Sequence, residues 1–163
     1  MIKNIRFAYY KWKFGFLKIG YNEENYIVLI KNTIDIDKKN EPNHITNLVY
    51  NQIIEYLNGQ RKIFSFNYKL EGTDFQKKVW QKLCEIPYGQ TKTYSQIAEE
   101  IRNSKAIRAV GMANNKNPLC IVVPCHRVIG KNGKLIGYAG GIDMKKSLLE
   151  IEYKNCNYKN QFF

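Results

Sequence analysis

TDFQKKVWQKLCEIPYGQTKTYSQIAEEIRNSKAIRAVGMANN, residues 73–115, decides the fold. It opens on Thr73-Asp74-Phe75-Gln76, a capping box in which the threonine and glutamine side chains satisfy free amides at a helix start. A helix to about Glu85 is predicted, stopped by Ile86-Pro87-Tyr88-Gly89. Thr93-Tyr94-Ser95-Gln96 repeats the box and opens a short helix to Ile101. After the turn Arg102-Asn103, Ser104 is expected to cap a third helix, KAIRAVGMANN. Two short helices across a tight turn, with Lys105 and Arg108 on the second, have the outline of a helix-turn-helix.

Upstream, the chain from Arg6 to Ile30 is dense in aromatic and β-branched residues and is broken at Gly15, Gly20 and residues 22–25, which predicts a β-meander. Ile45, Leu48, Val49, Ile53, Ile54 and Leu57 recur at helical spacing, and Gly59 stops the helix. FSFNYKL, residues 64–70, alternates as a strand or an extended linker. The expected division is a first domain over residues 1–70, a second over 71–155, and a frayed tail over 156–163. Downstream, LCIVVPCHRVIG predicts a buried strand stopped by Pro124, then a hairpin turning at Asn132-Gly133. A last helix is expected from Asp143 as N-cap through Leu148, Leu149 and Ile151.

The composition restricts function. A 163-residue chain with 44% hydrophobic and 13% aromatic residues can bury one good core or two small ones. No apolar run approaches the roughly 18 residues that span a bilayer, so a soluble, cytoplasmic protein is expected, nuclear in a eukaryotic source. Twenty-six Lys and Arg against 14 Asp and Glu give a net charge of +12 spread over the chain. Such a field favours polyanions, although it also serves as a solubilising surface. Four cysteines without a CxxC and only two histidines leave no paired ligand set for zinc; Cys120, Cys125 and His126 could only be forced into one.

Pro124-Cys125-His126-Arg127 places a thiol beside an imidazole. A thiol acts as a nucleophile only as thiolate, and a histidine can assist. In an extended segment, however, adjacent side chains point to opposite faces. From these four residues alone Cys125 is either a nucleophile or a buried thiol ending a strand.

The longer stretch shifts the weight between these readings. EGTDFQKKVWQKLCEIPYGQTKTYSQIAEEI followed by IRAVGMANNKNPLCIVVPCHRVIGKNGKLIGYAGGIDMKKSLLEIE resembles the O6-alkylguanine-DNA alkyltransferases, nearly without gaps from about Leu70 to Glu152. The specific core is IVVPCHRV with RAVG before it and GYAGG after it; the first seventy residues match more loosely, through the strand-rich start and EYLNG. The resemblance implies an α/β protein with an N-terminal ribonuclease-H-like domain and a winged helix-turn-helix alkyltransferase domain. It implies direct repair of double-stranded DNA: a methyl or larger alkyl group moves irreversibly from O6-alkylguanine, and possibly O4-alkylthymine, to Cys125, without cofactor or metal. His126 is then expected to act on the thiol through a water, Glu152 to orient His126, and Tyr94 to protonate the departing purine. The resemblance makes Arg108 the residue that fills the stack when the base is flipped out, on a helix in the minor groove. Lys105, Thr93, Ser95, Asn103 and Ala106 are placed on the DNA-facing side. Asn117 ties that helix to the active-site strand, and Val128, Tyr138, Ala139 and Gly140 line the base pocket.

The chain also departs from the family pattern. Ala139 stands where many members carry a serine, and Cys120 where some carry proline; the zinc-binding cysteines of some animal members are absent. The expected protein is a monomer that needs no membrane. Rival readings are a non-catalytic sensor of alkylated bases, disfavoured because such proteins lack the acceptor cysteine that Cys125 supplies, a helix-turn-helix regulator with a redox thiol, and a Cys-His hydrolase.

Overall fold

A computed structural model describes residues 4–156. The chain divides into two compact units, Met1–Glu71 and Gly72–Phe163; the tail expected over 156–163 lies, beyond Cys156, outside the described residues.

In the first unit β1 (Arg6–Trp12), β2 (Gly15–Tyr21) and β3 (Ile27–Thr33) form an antiparallel meander in sequence order. The β1–β2 register runs from Arg6 opposite Tyr21 to Trp12 opposite Gly15, leaving a two-residue loop. Gly15 is required there: its φ is +116°, and a Cβ would lie 2.9 Å from the Thr33 carbonyl oxygen. Helix α1 (His44–Leu57) starts at an Asn43 cap bonded to the Thr46 amide and buries Thr46, Val49, Gln52, Ile53 and Tyr56. That stripe differs from the expected one, because Leu48 is exposed while Gln52 is buried. Gln52 is tolerated because its amide bonds both the hydroxyl and the backbone amide of Ser65, each at 2.9 Å. The stretch after α1 is extended, with the Ile27 amide donating to Asn67 and the Lys69 amide to Ile27.

In the second unit α2 (Asp74–Cys84) and α3 (Tyr94–Glu100) begin at Thr73 and Thr93, each with a complete capping box. α4 (Ile107–Asn115) packs against both, and the indole of Trp80 donates to the Ala113 carbonyl at 2.8 Å. Ser104 is not the cap of α4. The chain leaves α3 through Arg102 at φ 58°, the Asn103 amide returns to Ala98, and the turn 103–106 puts Ala106 at the N-cap with no side-chain bond.

The apolar run 119–124 is not a strand. Ile121 lies at φ 72°, and tight turns carry the Val122 amide to Cys120 and the Val123 amide to Leu119. Carbonyls that a ladder would use are taken instead by the Asn117 side chain. The hairpin is also absent. Asn132 and Gly133 do turn with positive φ, but inside a 3-10 turn (Lys131–Gly133) closed by the Gly130 amide on the Lys134 carbonyl, at 2.7 Å. The short β5 (Val128–Ile129) pairs in parallel with β4 (Lys92–Thr93). Helix α5 (Ile142–Asn155) is capped by Gly141 at φ 92°, not by Asp143, which occupies the first turn where its charge favours the helix dipole. Among the described residues no helix is long and apolar enough to cross a membrane.

Candidate active site

Cys125 opens a 3-10 turn (Cys125–Arg127) that touches α2 and α5. The turn, in place of an extended strand, removes the strict alternation of side chains that would have set Cys125 and His126 on opposite faces. Cys125 is 5% exposed and His126 fully buried. Two asparagines, Asn114 in the last turn of α4 and Asn117 just beyond its C-cap, hold this segment. Asn117 donates to the Val123 carbonyl at 2.7 Å and to Sγ of Cys125 at 3.0 Å, while its own oxygen accepts the Leu119 amide. Asn114 reaches the Cys125 carbonyl at 3.4 Å.

Behind the thiol, Glu152 of α5 is fully buried and gathers donors from three residues. It lies 2.7 Å from Nε2 of His126 and takes Nε and Nη2 of Arg127 at 2.9 and 2.8 Å and the Gly89 amide at 3.1 Å. The remaining end of the guanidinium donates to the Ile86 carbonyl at 2.7 Å. Burial alone would raise the Glu152 pKa, but His126 and Arg127 overcome it and hold the carboxyl well below its usual range. Burial pushes His126 down more than Glu152 lifts it, so the imidazole is neutral at physiological pH. A carboxylate can only accept, so Nε2 carries the hydrogen and Nδ1 is the basic nitrogen.

Tyr94, at the start of α3, is buried, and its hydroxyl donates to the Ile136 carbonyl at 3.0 Å. Burial, with Cys125 adding to it, pushes its pKa up to about 12, which keeps the phenol protonated. A Cβ on Gly137 would lie 3.3 Å from that hydroxyl, and one on Gly140 would lie 2.5 Å from the Met144 sulfur. These two glycines let residues 136–140 pass close to the tyrosine and to α5. Val128 is buried, Tyr138 and Gly140 are half-buried, and Ala139 is exposed. Lys145 was not legible as a site residue. It is fully buried on α5 and donates to the carbonyls of Val128 and Ile136, the latter at 2.9 Å. Arg127 and Asn114 were missed as well. The available signal was the buried stripe of α5, where Lys145 and Glu152 share a face with Leu148 and Leu149.

The remaining expected residues lie elsewhere. Arg108, Lys105 and Asn103 are exposed, Ala106 is half-buried at the α4 cap, and Thr93 and Ser95 bond each other at 2.9 Å. A cleft of about 690 Å³ lined by Thr93, Gln96, Ile129, Leu149 and Tyr153 includes neither Cys125 nor Tyr94. The candidate site is therefore the buried sulfur and its surroundings, apart from this cleft. All four cysteines are free thiols, and among the described residues no His, Cys, Asp and Glu side chains group to hold a metal ion.

These features define a class: a small basic protein in which a helical pair with exposed cations adjoins a buried thiol backed by a His–Glu–Arg network. Residues 74–154 match the family model described as 6-O-methylguanine DNA methyltransferase, DNA binding domain. The chain belongs to the methylated-DNA–protein-cysteine methyltransferase family. It is 57% identical over 107 residues to the member from Methanosarcina mazei, covering 66% of this chain and 68% of that one. It is 52% identical over 119 residues to the inducible member from Bacillus subtilis, covering 73% and 63%. The crystal structure of the Mycobacterium tuberculosis O6-methylguanine methyltransferase superposes with a TM-score of 0.85 at 34% identity, over 96% of this chain and 97% of that one. The same organism's OGT in complex with DNA superposes with a TM-score of 0.83 at 36% identity, over 93% and 95%.

Proposed function

We propose that the protein repairs DNA by moving a methyl or larger alkyl group from O6-alkylguanine onto Cys125, once per molecule. The carrying observation is the buried Cys125 sulfur, bonded by Asn117 and set on one turn with the His126–Glu152 pair. In the transfer the thiol proton passes through a water to Nδ1 of His126, which Glu152 keeps in the right tautomer. The Cys125 sulfur attacks the alkyl carbon, an S–C bond forms and the C–O6 bond breaks. The purine leaves with the bonding pair and takes a proton from the Tyr94 hydroxyl. A neutral leaving group departs more easily than an anion, which is what a protonated Tyr94 supplies.

Cys125, a residue only 5% exposed, cannot reach an atom inside a base stack. The damaged base is therefore flipped out, with Arg108 filling the gap and α4 lying in the minor groove. Lys105 and Asn103, exposed beside Arg108, and Thr93, Ser95 and Ala106 around the α3–α4 turn face the duplex. Val128, Tyr138, Ala139 and Gly140 shape the base pocket. Ala139 offers only backbone there, so recognition of the purine oxygen rests on main-chain donors.

The second unit fits a winged helix-turn-helix, with residues 131–141 as the wing, and the meander-plus-helix first unit fits a ribonuclease-H-like domain. One chain supplies acceptor, acid and DNA face, so the protein works as a monomer, in the cytoplasm or the nucleus. Intact-mass and peptide mass spectrometry after incubation with duplex DNA containing O6-methylguanine tests this reading. One added methyl on the Cys125 peptide is expected, and none in Cys125→Ala, which keeps its DNA affinity. A methyl on Cys120, Cys84 or Cys156, or persistent transfer in the alanine variant, would overturn it.

A further inference from the structure

A fully buried ammonium demands a reason, because an unpaired charge costs several kcal/mol to remove from water. Lys145 is fully buried, and both of its hydrogen-bond acceptors, the Val128 and Ile136 carbonyls, are neutral. Glu152, the buried carboxylate on the same helix, is occupied by His126, Arg127 and Gly89. The ammonium stands 5.8 Å from the centroid of the Tyr94 ring. The ionisable group whose negative charge favours its protonated form is Cys125. Lys145 is thus a cation on the inner face of the site, bonded to the strand after the nucleophile and to the same carbonyl that holds the Tyr94 hydroxyl.

We propose that Lys145 is a positioning residue for alkyl transfer: its ammonium is the counter-charge of the Cys125 thiolate and the clamp that fastens residues 131–141 to the strand following the nucleophile. The inference rests on Cys125 as the acceptor and adds what makes its thiol ionise. Burial pushes the Cys125 thiol up, and the Asn117 donor and the Lys145 charge pull it back. Burial in turn brings Lys145 down to about 8, with Cys125 acting against that fall, so the lysine remains charged at neutral pH. The other groups facing this pair are Tyr94, protonated, and His126, neutral, with Glu152 and Arg127 compensating each other one step away. Lys145 keeps its proton throughout. When the S–C bond forms, the sulfur becomes a neutral thioether and the ammonium loses its partner.

The experiment uses the full chain without DNA. Iodoacetamide modification of the Cys125 peptide is followed by mass spectrometry across neutral and alkaline pH for the native chain, Lys145→Met and Lys145→Arg, with circular dichroism to report folding. The midpoint in Lys145→Met is expected to rise by about one pH unit or more, with roughly a tenfold slower reaction at neutral pH. Lys145→Arg, which keeps the charge, is expected to stay near the native midpoint. A folded Lys145→Met with the native midpoint would overturn the proposal. Should that variant not fold, the reciprocal shift is read in a chain with Cys84, Cys120 and Cys156 replaced by serine. By NMR of labelled lysine, the Lys145 midpoint falls after Cys125 is carboxamidomethylated, and an unchanged midpoint overturns the proposal. Neither readout involves alkylated DNA, so failure of Cys125 to take a methyl from DNA would sink the acceptor reading separately.

Discussion

The inner face of α5 and the outer face of α4 both carry charge, and they use it in opposite ways. On α5, Lys145 and Glu152 are fully buried, and each polar atom is committed to a particular partner. On α4 and the turn before it, Lys105 and Arg108 are exposed. Buried charges are strongly coupled and poorly screened, so the loss of one leaves another stranded. Exposed charges act through a field that salt weakens, and each contributes a small, separable share. The proposed function therefore assigns the chemistry to the coupled region and the encounter with DNA to the additive one.

The sharpest way to break this division is to cross it with two substrates. Tyr94 belongs to the buried region, so Tyr94→Phe should slow reaction with duplex DNA and with a free O6-alkylguanine base alike, by the roughly 10²–10⁴-fold typical of a placed acid. Arg108 belongs to the exposed region, so Arg108→Ala should slow the duplex reaction and spare the free base, which needs no extrusion. Single-turnover rates on both substrates decide the matter. Equal losses for Arg108→Ala would remove it from base flipping, and a Tyr94→Phe defect confined to DNA would make that tyrosine a backbone contact.

A smaller but diagnostic effect concerns stability. Glu152→Ala leaves His126 and Arg127 facing each other without the carboxylate, a change expected to cost about 3–5 kcal/mol in denaturant unfolding. The pH dependence follows from the same network. Glu152 is held below its ordinary 4.5, so its contribution is complete above that value and drains as the pH falls below it. His126 is held below its ordinary 6.5, so the unfolded chain takes up that proton first and stability begins to decline as the pH drops through 6.5. Thermal unfolding of the native chain should be nearly flat just above neutrality and weaken with acid. In Glu152→Ala the carboxylate part of that loss should be missing. An identical acid limb in both proteins would mean that the network does not govern stability.

What could be read from the sequence divides along a similar line. The capping boxes at Thr73 and Thr93 were legible because each is satisfied within four residues, by the chain's own side chains. The meander was legible because its alternation is local, although Gly20, expected as a break, lies inside β2 where the register with β3 shifts. The run Ile121-Val122-Val123 reads as a strand by composition, yet Ile121 sits at φ 72°, a region that β-branched residues avoid. The Asn117 side chain imposes that path from just beyond α4, a tertiary fact that β-propensity does not carry. The start of α5 was misread for a different reason: Gly141 caps it through a backbone conformation, while Asp143 only looked like a cap. Cys125, His126, Glu152 and Tyr94 came from the resemblance. Arg127 and Lys145 escaped because a charged residue on an apolar stripe gains meaning only when its partner's position is known.

The smallest expected effect tests the additive side. Each phosphate neutralised by a cation on duplex DNA contributes about −0.9 to the slope of log binding constant against log salt. If Lys105 makes one such contact, Lys105→Ala should make the slope shallower by about that amount. Affinity should weaken by a similar factor on intact and O6-methylguanine duplexes, because a phosphate contact carries no information about the base. The reaction with free base should keep its rate, since Lys105 is exposed whereas Cys125 is buried. Fluorescence anisotropy over a salt series, with both duplexes, measures all but the last. A Lys105 variant that keeps the native slope but loses preference for the damaged duplex would show that this exposed cation takes part in lesion recognition. The α4 face would then be coupled to the pocket and no longer additive.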